Sequence, residues 1–260
     1  MLARRAACAG LGALAAAASS VGCTALTGLM RSSPLPMDII HDQRACAGAR
    51  ASTLLVFLPG AYMTPDELVQ QGFASAVRER QLPVDLWFVQ TELAQLVDRT
   101  AMQRLDVDIV GAAREQGYRR LWFAGISLGA FLAMGYAARQ PGRVEGIVGL
   151  GAYPGRRPLL QEITQAGGLD AWRRSGAKPR EDDDLDHDVW AWLARADRTA
   201  PALYLGHGAQ DRFADGQALM GSTLAADRVD VVPGGHDWPP WRTLWARWLD
   251  KGVLNRPCNA

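Results

Sequence analysis

The pentapeptide Gly125-Ile126-Ser127-Leu128-Gly129 constrains this chain more than any other stretch. It follows an apolar run, Leu121-Trp122-Phe123-Ala124, and precedes a helix-like run from Ala130 to Ala138. A strand, a sharp turn and a helix therefore meet at Ser127, the setting in which G-x-S-x-G carries chemistry. Such a turn strains the serine backbone and lifts its hydroxyl above the sheet. Glycines two before and two after leave room where a Cβ would strike the strand or the helix.

The rest of the chain repeats strand then helix. Thr53 to Leu58 is a continuous apolar run of strand length, as buried parallel strands are. A helix is predicted over 65–80, with Thr64 as N-cap and Glu67 completing a capping box. Strands follow at 84–89, 121–126, 144–150, 202–205 and 229–232. Helices follow at 99–116, 128–139, 213–226 and 240–250, and a marginal first strand lies near 37–40. The alternation predicts an α/β fold with a mostly parallel sheet flanked by helices. Residues 153–199 break the rhythm and read as a small helical cap. Its acidic run, Glu181 to Asp184, reads as the charged start of a helix rather than a metal site.

A serine hydroxyl needs a base to take its proton, and the base needs a carboxylate to hold its tautomer. The chain has four histidines. His41 precedes the main sheet, His187 falls in the cap, and His207 ends a strand. His236 follows the last strand in the loop Pro233-Gly234-Gly235-His236-Asp237-Trp238, where the order Ser, Asp, His places the base. Asp211, in the Gly-rich loop after 202–205, is the favoured acid. Asp215, in the next helix, is its rival. An oxyanion hole needs two backbone N–H donors. One is Leu128, and the other is expected in Leu58-Pro59-Gly60-Ala61-Tyr62, at Ala61 or, as second choice, Tyr62.

These segments resemble the α/β-hydrolase superfamily over roughly residues 52–250. Leu58-Pro59-Gly60-Ala61, the Ser127 pentapeptide, Asp211-Arg212-Phe213 and Gly234-Gly235-His236-Asp237-Trp238 carry the resemblance. The last segment, with Trp241 after it, is similar to the G-H-x-W-x-x-W region of esterase-D-like carboxylesterases. The first departs from the family, having Leu-Pro-Gly where many lipases and esterases have HG or HGGG. The resemblance implies the α/β-hydrolase fold and a catalytic triad of Ser127, Asp211 and His236, with no cofactor and no metal. The resemblance does not imply the substrate. The expectation is a small-molecule ester or thioester; the alternatives are a peptidase, lipase or depolymerase with the same triad, or a non-catalytic binding protein on this fold. Trp238 and Tyr62 are candidates for the pocket wall, and Trp241, Trp245 and Trp248 for the core.

Composition adds bounds. Of 260 residues, 48% are apolar and 21% charged, and 28 basic residues balance 27 acidic ones, which gives no basic surplus for nucleic acid. Arg4 and Arg5 precede an uncharged stretch that reads as an export signal over 1–23. Val21-Gly22-Cys23 resembles a bacterial lipoprotein signal ending in a lipidated Cys23, although Ser20 stands where Leu is usual. The expectation is an exported protein, periplasmic or anchored in a membrane by lipid. Residues 24–51 read as linker and first strand, 52–250 as the hydrolase domain and 251–260 as a tail. Cys46 and Cys258 form an even pair that an oxidising compartment would allow to bridge.

Overall fold

The strand-length runs assemble into one seven-stranded sheet of order β1-β3-β2-β4-β5-β6-β7. The computed structural model describes residues 35–43, 51–97, 99–176, 178–179, 183–195 and 201–254. Along the chain lie β1 (Ile39–Asp42), β2 (Thr53–Leu58), α1 (Pro65–Gln70), α2 (Phe73–Glu79) and β3 (Val84–Val89). Next come α3 (Leu93–Val97), α4 (Ala101–Arg104), a π-helical stretch (Leu105–Gly111), α5 (Ala112–Glu115), β4 (Arg120–Ile126) and α6 (Leu128–Arg139). β5 (Gly146–Leu150) leads into α7 (Arg157–Gln165), α8 (Leu169–Arg174) and α9 (Leu185–Leu193). β6 (Ala202–Gly208), α10 (Ala214–Gly221), a 3₁₀ turn (Ala226–Arg228), β7 (Val229–Val232) and α11 (Trp238–Asp250) complete the series. Among the described strands only β1 is antiparallel; it pairs with β3 at the sheet edge. The other pairings are parallel, so all six remaining strands point their carboxyl ends to one rim.

Period-two alternation divides the apolar side chains between the two faces. Leu54, Val56 and Leu58 of β2 join a core with α6, whereas Leu55 and Phe57 join a second core with α2 and α11. All six residues of β2 are buried, as its unbroken apolar run requires. Trp241, Trp245 and Trp248, three and four residues apart on α11, enter the second core on one helical face.

Several boundaries differ from the sequence expectation. The capping box at Thr64 forms: the Glu67 N–H donates to Thr64 Oγ1 at 3.3 Å and the Thr64 N–H to Glu67 Oε2 at 2.8 Å. The helix it starts ends at Gln70, and α2 begins anew after Gly72, whose φ is 84°. The helix over 99–116 widens to π geometry across Leu105–Gly111, and α11 starts at Trp238 rather than 240. The segment between β5 and β6 is helical, and its apolar side chains merge with the core beneath it. Leu159, Ile163, Trp172, Val189 and Trp190 share a cluster with α6. Trp190 Nε1 donates to the Pro154 carbonyl at 2.9 Å, and Arg139 of α6 pairs with Asp188 at 2.7 Å. Asp184 caps α9 by accepting from the His187 N–H at 3.2 Å, which accounts for acid at that end of the run. Among the described residues no helix is long and apolar enough to cross a membrane.

Candidate active site

Four consecutive strand ends build the site, and hydrogen bonds stitch the loops together. Ser127 follows β4 with φ 50° and ψ −111°, a strained conformation that a non-glycine residue adopts only when its surroundings enforce it. The enforcement is visible. Its N–H donates to the Leu150 carbonyl at 2.9 Å, and its own carbonyl accepts from Phe131 at 3.2 Å and Tyr153 at 3.0 Å. At Gly129 a Cβ would lie 2.0 Å from the Leu58 carbonyl oxygen, so α6 starts in direct contact with the loop leaving β2. Only glycine permits that approach.

The acid and base loops are joined in the same way. The Ala209 N–H donates to Val232 O at 2.7 Å and the Gln210 N–H to Gly234 O at 2.9 Å. In return the Gly234 N–H donates to Gln210 Oε1 at 2.8 Å. Gly208, at the end of β6, abuts this loop so closely that a Cβ would lie 2.2 Å from Gly234 O.

Ser127, His236 and Asp211 consequently form one hydrogen-bonded file. His236 Nε2 lies 2.9 Å from Ser127 Oγ, and His236 Nδ1 lies 2.7 Å from Asp211 Oδ2. An ionised carboxylate only accepts, so Nδ1 carries the proton and Nε2 is left to accept from the serine hydroxyl. The Asp211 side chain is fully buried. Burial alone would push its carboxyl upward, but hydrogen bonds from His236, the Phe213 N–H and Gln217 outweigh that and hold it below the usual carboxylate range. The Phe213 bond, at 2.8 Å to Oδ1, is an aspartate bonding its own backbone two residues on.

The imidazole is braced on both sides. Phe213 and Trp241 each meet the His236 ring nearly perpendicular, at centroid distances of 5.1 Å and 5.0 Å. Such edge-to-face contacts limit rotation of the ring. Trp241, which the sequence assigned to the core, thus also touches the base. Trp238 instead packs on Trp241 at 5.4 Å and Phe73 at 6.2 Å, one ring removed from His236. Tyr62 has a left-handed φ of 64° and is 91% exposed, so it stands on the rim rather than in an enclosed wall. Asp215 lies in α10 and makes no bond to His236 among the described residues. Leu128 is the first residue of α6, and the first intrahelical donor is Phe131, so helix geometry leaves the Leu128 N–H without an internal partner. Cys23, Cys46 and Cys258 lie outside the described residues.

One contributor had no signal in the sequence. Gln217 of α10 is buried and donates from Nε2 to both Asp211 Oδ2 and the Ala152 carbonyl, each at 3.1 Å. Six positions separate it from Asp211 across the start of α10, and its second bond ties the helix to the loop after β5.

No family model matches the chain, and a search of curated proteins gives no relative. Solved structures do match. Fluorophosphonate-binding serine hydrolase F of Staphylococcus aureus aligns with a TM-score of 0.57 at 13% identity, over 85% of this chain and 100% of the other. S-formylglutathione hydrolase from the same organism gives 0.57 at 13%, over 86% of this chain and 100% of the other. Est1E from Butyrivibrio proteoclasticus gives 0.55 at 16%, over 84% of this chain and 93% of the other. The chain has the α/β-hydrolase fold. Identities this low define architecture, and the reaction has to be argued from the site itself.

Proposed function

We propose that this protein is a serine hydrolase that cleaves a carboxylic ester or thioester of a small or medium acyl group through an acyl-enzyme. The observation that carries the reading is the Ser127–His236–Asp211 file, with separations of 2.9 Å and 2.7 Å, set on a strained strand-to-helix turn. Nucleophile and base are within hydrogen-bond reach, and the base is oriented by a third group, which is the geometric signature of covalent catalysis by serine. That the structural neighbours include serine hydrolases and esterases supports the same class.

In the proposed reaction Ser127 Oγ attacks the acyl carbon while His236 Nε2 takes its proton. Asp211 stabilises the imidazolium and keeps the Nδ1–H tautomer. The N–H of Leu128 and that of Ala61, or Tyr62 in its place, hold the oxyanion. Contact between Gly129 and the Leu58 carbonyl favours this pairing, because it brings the 58–62 loop beside the start of α6. His236 returns the proton to the leaving group, and water activated by the same nitrogen releases the acid. One oxyanion donor is worth about 3 kcal/mol of barrier. Export with lipid on Cys23 forms part of this reading; it rests on sequence alone, and the mass of the mature N-terminus tests it.

Labelling by a fluorophosphonate probe tests the enzyme reading. Wild type is expected to label and Ser127→Ala not to; equal labelling of the two overturns it.

A further inference from the structure

Beside the Phe213 ring that braces His236 lies a cavity of about 350 Å³, within the range of small-molecule sites. Its walls include Tyr153, Phe213, Leu160, Arg157, Arg212 and Asp215. Two of these walls also belong to the active site. The Tyr153 N–H donates to the Ser127 carbonyl, and the Phe213 ring braces His236. Tyr153 and Phe213 meet edge to face at 5.6 Å, so the cavity lies one ring away from the reacting atoms.

Charge on the lining distinguishes this cavity from a plain acyl slot. The Arg212 guanidinium lies over the Phe213 ring, 4.8 Å from its centroid. A cation over an aromatic face is attracted to it, and the contact engages the ring face without using the guanidinium N–H donors on a hydrogen-bond acceptor. Arg157 stands beside Arg156, and the two are used differently. Arg156 is committed to Asp184 and Asp186. Among the described residues neither Arg157 nor Arg212 forms an ion pair, and Asp215, which shares the lining, is one acidic residue against the two arginines. Two arginines without an ion pair among the described residues line the same cavity, and the planar guanidinium fork matches carboxylate and phosphate oxygens.

We infer that this cavity binds an anionic group of the substrate, a carboxylate or a phosphate, so that the preferred substrate is an ester bearing negative charge a short reach from the scissile carbonyl. The inference rests on the serine-hydrolase reading and deepens it. Arg212 and Arg157 are then specificity residues. Leu160, in the same lining, offers an apolar surface to the carbon chain that joins anion to ester.

Two pairs of esters test it, differing in which side of the bond carries the charge. On the acyl side, the monoanionic 4-nitrophenyl adipate is compared with the neutral methyl ester of the same chain. On the leaving-group side, 4-acetoxybenzoate is compared with its methyl ester. Wild type should favour the charged member of one pair by about tenfold in kcat/KM, as expected for a hydrogen-bonded ion pair. Arg212→Gln and Arg157→Gln should each reduce the charged-to-neutral ratio severalfold, and the double substitution should bring it near unity. A structural defect would instead lower both members together and leave the ratio in place. The inference is overturned if wild type treats both pairs alike, or if the preference survives the double substitution. Protein that labels with fluorophosphonate but ignores charge overturns this inference alone. Protein that neither labels nor turns over any ester overturns the enzyme reading and this inference with it.

Discussion

Gln217 and His236 converge on the same atom: the amide of Gln217 donates at 3.1 Å to the Asp211 oxygen that His236 Nδ1 meets at 2.7 Å. Its orientation is decided by two acceptors, Asp211 Oδ2 and the Ala152 carbonyl. Its own Oε1 is buried and has no hydrogen-bond partner among the described residues. A buried orphan acceptor is costly, and it is tolerated here because the reversed amide would set oxygen against two oxygens. Gln217→Leu is expected to lower kcat about tenfold with little change in KM, since a hydrogen bond to a charged group is lost. Steady-state kinetics on a neutral nitrophenyl ester check this, and an unchanged kcat would remove Gln217 from the positioning of Asp211.

The identity of the triad acid is tested by paired substitutions. Asp211→Asn should lower turnover of a short-chain nitrophenyl ester by about a thousandfold or more, because the tautomer of His236 is no longer enforced. Asp215→Asn should cost at least about a hundredfold less. A larger loss at 215 than at 211 would reverse the assignment.

Gly129→Ala should destabilise the fold by about 3 kcal/mol, the upper end of the usual range for overpacking an interior. The clashing group is backbone, the Leu58 carbonyl at 2.0 Å, and cannot rotate aside. Urea unfolding measures the loss. A variant of wild-type stability would show that the start of α6 and the loop after β2 are not in contact.

Arg156 neutralises two buried carboxylates, Asp184 and Asp186, whose side chains are 2% and 9% exposed. Arg156→Met should cost about 2 kcal/mol, less than the 3–5 of a wholly buried pair because the guanidinium itself is half exposed. Adding Asp186→Asn should recover part of the loss. A double-mutant cycle without coupling would assign the effect to packing instead.

Acid sensitivity follows from Asp211. Its folded pKa is depressed, so its stabilising contribution is complete above the unfolded value near pH 4 and is lost as pH falls through the lower folded value. Unfolding free energies between about pH 5 and about pH 2 should therefore fall more steeply for wild type than for Asp211→Asn. Parallel curves would mean that Asp211 titrates alike in both states.

Much of the fold was legible because its signals are local. Thr53 to Leu58 is apolar at every position after the first, and a strand buried on both faces needs that. The strand-turn-helix setting of Ser127 is likewise contained in the residues on either side of it. Helix ends were less legible. The break between α1 and α2 falls at Gly72, a local signal that the 65–80 expectation passed over, and the widening across Leu105–Gly111 has no counterpart in the apolar spacing. The role of Trp241 shows the same limit. Its spacing marks it for the core, where it lies, but not that its ring edge meets His236.

The sequence by itself determined the order of strands and helices, the strained turn at Ser127 and the choice of one histidine of four, because each depends on residues near in the chain or on their order. Tertiary structure decided which atoms meet. His236 lies 109 positions from Ser127 and 25 from Asp211. The two are brought within hydrogen-bond reach by loop-to-loop bonds such as Gly234 to Gln210, which form only when parallel strands deliver their ends to one rim. The same convergence tied Gln217 to the Ala152 carbonyl 65 positions away and set Arg157 and Arg212 around one cavity, relations between distant residues that local chemistry does not encode.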